Sequence, residues 1–186
     1  MKSRLRIALA AIACMRIAGI SAVAAQQDPM VGGAAMYPSK NIVENALNSP
    51  DHTTLVAAVK AAGLVDTLEG PGPFTVFAPT NEAFAKLPAG TVDTLLKPEN
   101  KAALTKVLTY HVVAGRVSAE DLKKMIKAGH GKAELKTVSG GSLWAMDRSG
   151  KIILQDEEGG TATVTIADVY QSNGVIHVID SVLLPN

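Results

Sequence analysis

The side chains best suited to acid–base or metal chemistry here are four histidines, His52, His111, His130 and His177. They are far apart in the chain, and no two stand at the spacing of a HExxH zinc motif. The single cysteine, Cys14, lies in an apolar N-terminal stretch, so the rest of the chain has no thiol nucleophile. No G-x-S-x-G elbow presents a serine. Gly70-Pro71-Gly72 is a turn rather than a phosphate loop, because the lysine and the pattern that should follow are missing. The acidic run Asp156-Glu157-Glu158 offers carboxylate oxygens for weak calcium binding. Standing before two glycines, it reads instead as a solvated hairpin tip. These residues predict no catalytic centre, no metal site and no cofactor.

The elements around these residues begin with an export signal. Lys2, Arg4 and Arg6 form a basic start, Ile7 to Ala13 an apolar run, and Ala22, Val23, Ala24 and Ala25 a small-residue approach to Gln26. This layout predicts a signal peptide over residues 1–25, cut after Ala24 or Ala25. Arg16 divides the apolar stretch, and neither half reaches the roughly 20 residues a bilayer span needs. Lipidation at Cys14 is disfavoured by Ala11, where a larger aliphatic residue would stand. The expected location is secreted or periplasmic. Charge changes with export, from 18 Lys+Arg against 17 Asp+Glu to 14 against 17 once the four leading cations go. No basic cluster remains, which excludes nucleic acid as a partner. No later apolar run is of membrane length.

Residues 26–40 are rich in Gly, Ala, Met and Pro and predict a flexible linker. Asn41 with Glu44 forms a capping box for a first helix, and Ser49-Pro50 starts a second with the stripe Leu55, Ala58, Val59 and Ala62. Gly63 closes it as a left-handed cap. Phe74 to Pro79 is a short buried strand. Thr80 and Asn81 are expected to cap the helix after it, and Thr91 another. Further helices carry Leu104, Val107, Leu108 and His111, then Leu122, Met125 and Ile126 behind Ser118 and Asp121. From Lys132 the period changes to that of strands, with Gly- and Asn-rich turns between them. Asn173-Gly174 is expected to need positive φ. Helices mainly N-terminal and antiparallel strands mainly C-terminal make the fold class α+β.

Three segments carry a family resemblance: FTVFAPTNEAFAKL (Phe74 to Leu87), VLTYHVVAGRV (Val107 to Val117) and NGVIHVIDSVLLP (Asn173 to Pro185). In this order they resemble the fasciclin (FAS1) domain over residues 41–186, nearly all of the mature chain. The resemblance implies a β-sandwich or wedge with a helical layer. It implies an exported, non-enzymatic adhesion module whose partner is a cell-surface or matrix protein or polymer. The alternative it implies is a carrier of a lipophilic small molecule such as a carotenoid. Phe74, Phe77, Phe84, Trp144, Tyr37, Tyr110 and Tyr170 are a modest aromatic supply for lining a pocket. The Tyr110-His111 dipeptide matches an adhesion motif of animal relatives, which makes it the candidate partner contact. Its place on an apolar helix stripe favours a structural role for both residues. Phe74, Phe77, Pro79, Thr80, Asn81, Asn173, Gly174, His177 and Asp180 are expected to be structural, with Asp168 and Asp180 anchoring backbone.

Overall fold

The computed structural model describes residues 28–186. The signal-peptide reading of residues 1–25 lies outside them. Residues 28–40 are folded rather than a linker. Strands β1 (Met30–Val31) and β2 (Ala34–Ala35) pair around Gly32 and Gly33, both at positive φ. Val31 and Met36 are buried in the core. The glycines that resemble linker composition are the turn of this hairpin.

The helices start where short side chains can satisfy free N–H groups. Asn41 and Glu44 form the capping box of α1 (Ile42–Asn48). A 3-10 turn over Pro50–His52 leads into α2 (Thr53–Ala62), which buries Leu55, Ala58, Val59 and Ala62 and stops at Gly63 with φ 73°. Next come α3 (Val65–Glu69) and β3 (Phe74–Pro79), followed by α4 (Asn81–Ala85), capped by Thr80. Gly90, not Thr91, occupies the cap position of α5 (Thr91–Leu95). α6 (Lys101–Tyr110) runs into β4 (Val112–Ala114), a strand the helical stripe of its neighbour conceals in the sequence. Ser118 and Asp121 form the second capping box, on α7 (Ala119–Ala128).

The late strands are β5 (Lys132–Lys136), β6 (Ser142–Arg148), β7 (Lys151–Gln155), β8 (Thr161–Gln171) and β9 (Gly174–Ile179). With β3 and β4 they make one seven-stranded sheet, ordered β4-β3-β9-β8-β7-β6-β5. Every pair is antiparallel except β3 with β9. The sheet curls until its ends meet, through a Val113–Thr137 bridge and the Val138 N–H donated to the Val112 carbonyl at 2.8 Å. One apolar core lies between α1, α2, α6 and the β3–β9 pair, and a second between α7 and β5–β8.

Asn173 and Gly174 hold the helical layer to the β3–β9 pair. The Asn173 Oδ1 accepts from Ile42 N at 3.1 Å, and its Nδ2 donates to the carbonyls of Leu68 (2.7 Å) and Gly70 (3.0 Å). One amide thus satisfies the start of α1 and the end of α3. The expectation of positive φ at Gly174 is not met. Its reason for lacking a side chain is proximity, since a Cβ there would stand 2.1 Å from the Phe74 carbonyl oxygen. Gly174→Ala is therefore expected to lower unfolding free energy by about 2–3 kcal/mol, the usual cost of overpacking, read as a lower urea midpoint. Asn173→Ala is expected to cost about as much, because buried polar groups lose their partner.

Candidate functional site

Tyr110 and His111 end helix α6 and point inward. Tyr110 is fully buried, and its hydroxyl donates to the Ser142 carbonyl at 2.7 Å while accepting from Glu157 N at 3.2 Å. Burial, with the acidic run Asp156 to Glu158 nearby, pushes its phenol up to about 12. His111 is also buried. Its Nδ1 donates to the Val107 carbonyl at 2.8 Å and its Nε2 accepts from Leu183 N at 3.1 Å, a pairing that requires the neutral ring. Burial holds its pKa down at about 4, against weaker opposing effects of the Val107 backbone and Asp156. The expected direct contact between a partner and these two side chains does not fit this placement. Neither side chain reaches solvent, and each polar atom is already bonded to backbone.

The remaining motif residues wire backbone to backbone. His177 is fully buried and stacks on Phe77 with ring centroids 5.6 Å apart. Its Nε2 donates to the Val117 carbonyl and its Nδ1 accepts from Asp168 N, and burial lowers its pKa. Asp168, at φ 58° in a bulged part of β8, accepts from Ala119 N at 2.7 Å and so helps to start α7. Asp180 accepts from Thr163 N at 2.8 Å. Thr80 caps α4, but Asn81 caps a different helix. Its Oδ1 accepts from Thr54 N and its Nδ2 donates to the Pro50 carbonyl, tying the start of α2 to the end of β3. Phe74 is half-buried, and Pro79 is buried at the end of β3.

Two of the small cavities among the described residues lie beside α1 and α2. One, about 40 Å³, is walled by Ile42, Val43, Leu55, Val59, Val76 and Leu108. The other, about 30 Å³, adjoins Val31, Met36, Ser49 and His52. His52 accepts or donates one bond with Ser49 Oγ at 2.9 Å, and its buried Nε2 has no partner among the described residues. Burial lowers its pKa. Among the described residues no group of three or more His, Cys, Asp or Glu side chains could hold a metal.

The outer face of β5–β8 presents a different surface. Side chains alternate along strands, and Ala133, Leu135, Leu143, Ala145, Ile152, Leu154 and Ala162 go to the core beneath α7. The opposite face carries the cross-strand row Glu134, Trp144, Gln155, Thr161 and, beside it, Lys132, Met146, Ile153, Thr163. Lys136 stands opposite Ser142, and Arg148 opposite Lys151. Trp144 is half-buried, with the Lys132 Nζ 4.6 Å from its ring centroid. The β7–β8 pairing ends at Ile153–Thr163, and a groove of about 360 Å³ opens there between Lys123, Lys151, Thr163 and Thr165. Sequence motifs did not mark this face. Its signal was the polar alternation of three hairpin strands around the chain's one tryptophan.

The fasciclin domain family model matches residues 50–185. The chain belongs to the fasciclin domain family. It is 48% identical over 160 residues to protein sll1483 of Synechocystis sp., covering 86% of this chain and 82% of that one. It is 36% identical to immunogenic protein MPB70 of Mycobacterium bovis, covering 96% and 93%. Cell surface glycolipoprotein MPB83 of the same species is 34% identical, with coverage of 90% and 70%. A solved FAS1 domain pair from the insect cell adhesion molecule fasciclin I superposes with a TM-score of 0.70 at 22% identity, covering 79% of this chain and 51% of that one. The fasciclin fold is thus shared with the insect domain, and this chain spans about half of the pair. The three fasciclin segments coincide with β3 and the start of α4, the α6–β4 junction, and β9.

Acid should loosen this fasciclin domain. His111 is neutral in the fold to about pH 4 but titrates at 6.5 when unfolded. Its contribution is complete above pH 6.5 and is lost between 6.5 and 4, about 3 kcal/mol in all. The urea midpoint is expected to fall over that window, and less steeply in His111→Gln. Tyr110→Phe should cost about 1–2 kcal/mol at any neutral pH, since the Ser142 carbonyl and Glu157 N–H lose their shared hydroxyl.

Proposed function

We propose that this fasciclin-family protein is a non-enzymatic interaction module that works outside the cytoplasm, secreted or periplasmic. It holds a surface or matrix partner on the outer face of β5–β8. The observation that carries this reading is the division of the molecule. The family motif residues are spent inside the fold, whereas on the regular sheet face around half-buried Trp144 no helix or strand among the described residues is packed. A half-buried tryptophan has ring area left to bury, and such residues anchor interfaces. The names of relatives support an exterior role, since one is a cell surface glycolipoprotein and the insect structure belongs to a cell adhesion molecule. The export signal read at residues 1–25 points the same way.

The carrier of a lipophilic small molecule, a carotenoid for example, has the apolar cavities behind it. Their volume opposes it. Spaces of about 40 and 30 Å³ hold a water or two, whereas pockets for small molecules run to about 300–1,000 Å³. A pigment would have to lift α1 and α2 off the sheet.

Binding of labelled protein, beginning at Gln26, to envelope fragments of the producing cells tests the interaction reading. Trp144→Ser is expected to bind at least tenfold more weakly with an unchanged melting temperature. Tyr110→Phe should melt lower yet bind as wild type. Undiminished binding by folded Trp144→Ser would remove the sheet face from the reading. An organic extract of the purified protein is expected to show no stoichiometric visible absorbance, and a pigment there would favour the carrier.

A further inference from the structure

The chemistry of the outer sheet face narrows the partner, given the reading above that this face binds one. Cations dominate it. Lys132, Lys136, Arg148 and Lys151 share the face with Glu134 and, at its β7–β8 end, with Glu157, whose carboxylate accepts from Ser142 N at 2.9 Å. Glu134 is already engaged, 2.8 Å from the Lys136 Nζ and accepting from Ser142 Oγ. Asp147, at the β6–β7 turn, accepts from the Gly150 N–H. Arg148 and Lys151 make no ion pair among the described residues, while Lys132 lies over the Trp144 ring and donates to Gln155 Oε1 at 3.2 Å. This positive face sits on a chain that carries 14 Lys+Arg against 17 Asp+Glu beyond residue 27. Such asymmetry steers acidic partners to one side of a molecule.

The uncharged groups say which kind of acidic partner. A protein-binding surface has an apolar, fully desolvated centre. Here none of the exposed large hydrophobic residues lies on the face, since Met30, Tyr37, Leu47, Met125, Val138 and Tyr170 are all elsewhere. What surrounds Trp144 is an amide, Gln155, and two hydroxyls, Thr161 and Thr163, with Met146 and Ile153 half-buried between them. One aromatic ring among hydrogen-bonding groups and cations, of which Arg148 and Lys151 are unpaired among the described residues, fits a chain of sugar rings with acidic substituents. The C–H face of a ring packs on the indole in place of the Lys132 ammonium, which turns to a carboxylate, while hydroxyls meet the amide and hydroxyl side chains and further carboxylates meet the other cations. The four strands span about 14 Å at the usual strand spacing, and a groove opens beside Lys151 where β7 and β8 separate, with Lys123 of α7 on its far wall.

We propose that the outer face of β5–β8 binds an acidic polysaccharide, with a sugar ring on Trp144 and its carboxylates on Lys132, Arg148 and Lys151.

Trp144 is the chain's only tryptophan, so intrinsic fluorescence reads this face alone. Alginate, a polymer of uronic acids, is expected to shift or quench the emission saturably, while dextran, which is uncharged, leaves it unchanged. The double variant Lys132→Gln with Lys151→Gln should bind alginate at least fivefold more weakly at an unchanged melting temperature. Raising NaCl from 20 to 300 mM should weaken wild-type binding severalfold. Three results would overturn the proposal: no response to alginate or to pectate, an equal response to dextran, or tighter binding of single-stranded poly(dT), which would point to a nucleic acid. Envelope binding separates this failure from that of the broader reading. Trp144-dependent binding that disappears after protease treatment of the envelopes overturns the polysaccharide and keeps the face, whereas protease-resistant, Trp144-dependent binding supports the polysaccharide.

Discussion

Strands β3 and β9 lie side by side, and the domain is arranged around that contact. Their register runs from Phe74–Gly174 to Pro79–Ile179. Gly174 lets the two backbones approach where any side chain would collide with the Phe74 carbonyl. Both strands are almost entirely buried, as parallel strands covered on both faces must be. The helical layer packs on one side of this pair, and β8 continues the sheet on the other. Asn173 at its head and Asn81 just past its foot then fasten three helices to it by their free backbone groups.

This arrangement explains why the segments that mark the family are mostly interior. Phe77 and His177 stack across the pair, His177 reaches Val117 and Asp168, and Asp168 starts α7. Tyr110 and His111 do the same at the other end, joining α6 to the start of β6, to the β7–β8 turn and to the C-terminal segment at Leu183. Short polar side chains placed against backbone fix one geometry each, because a buried polar group without its partner costs far more than the bond returns. The motif therefore records how the chain closes. The partner surface proposed above lies on other residues, on strands whose sequence signal is alternation.

Local features were legible in the sequence. Both capping boxes, the Thr80 cap, the Gly63 stop and the strands from Lys132 onward depend on residues within a few positions of each other. The fasciclin resemblance gave the fold, and the curled sheet agrees with it. Residues set by distant partners were not legible. Asn81 looked like a cap for its own helix and serves α2. Gly174 looked like a turn residue, and its constraint comes from Phe74. The hairpin of residues 30–35 resembled a linker because its two glycines dominate so short a segment. Tyr110 and His111 drew a partner role from family likeness, but their burial depends on Ser142, Glu157 and Leu183. Trp144 carried no motif at all.

The β3–β9 pairing also governs when the molecule can exist. Its two strands are separated by α4 to α7 and by β4 to β8, so the loop that must close is the greater part of the domain. Closing it is slow, because the chain gives up its freedom before the contact repays it. During synthesis the helical half emerges first, with β3 and β4, and its core lacks Ile176 and Val178 until β9 appears. The nascent chain is thus kept open almost to its last residues, a state in which other machinery can still handle it as a thread.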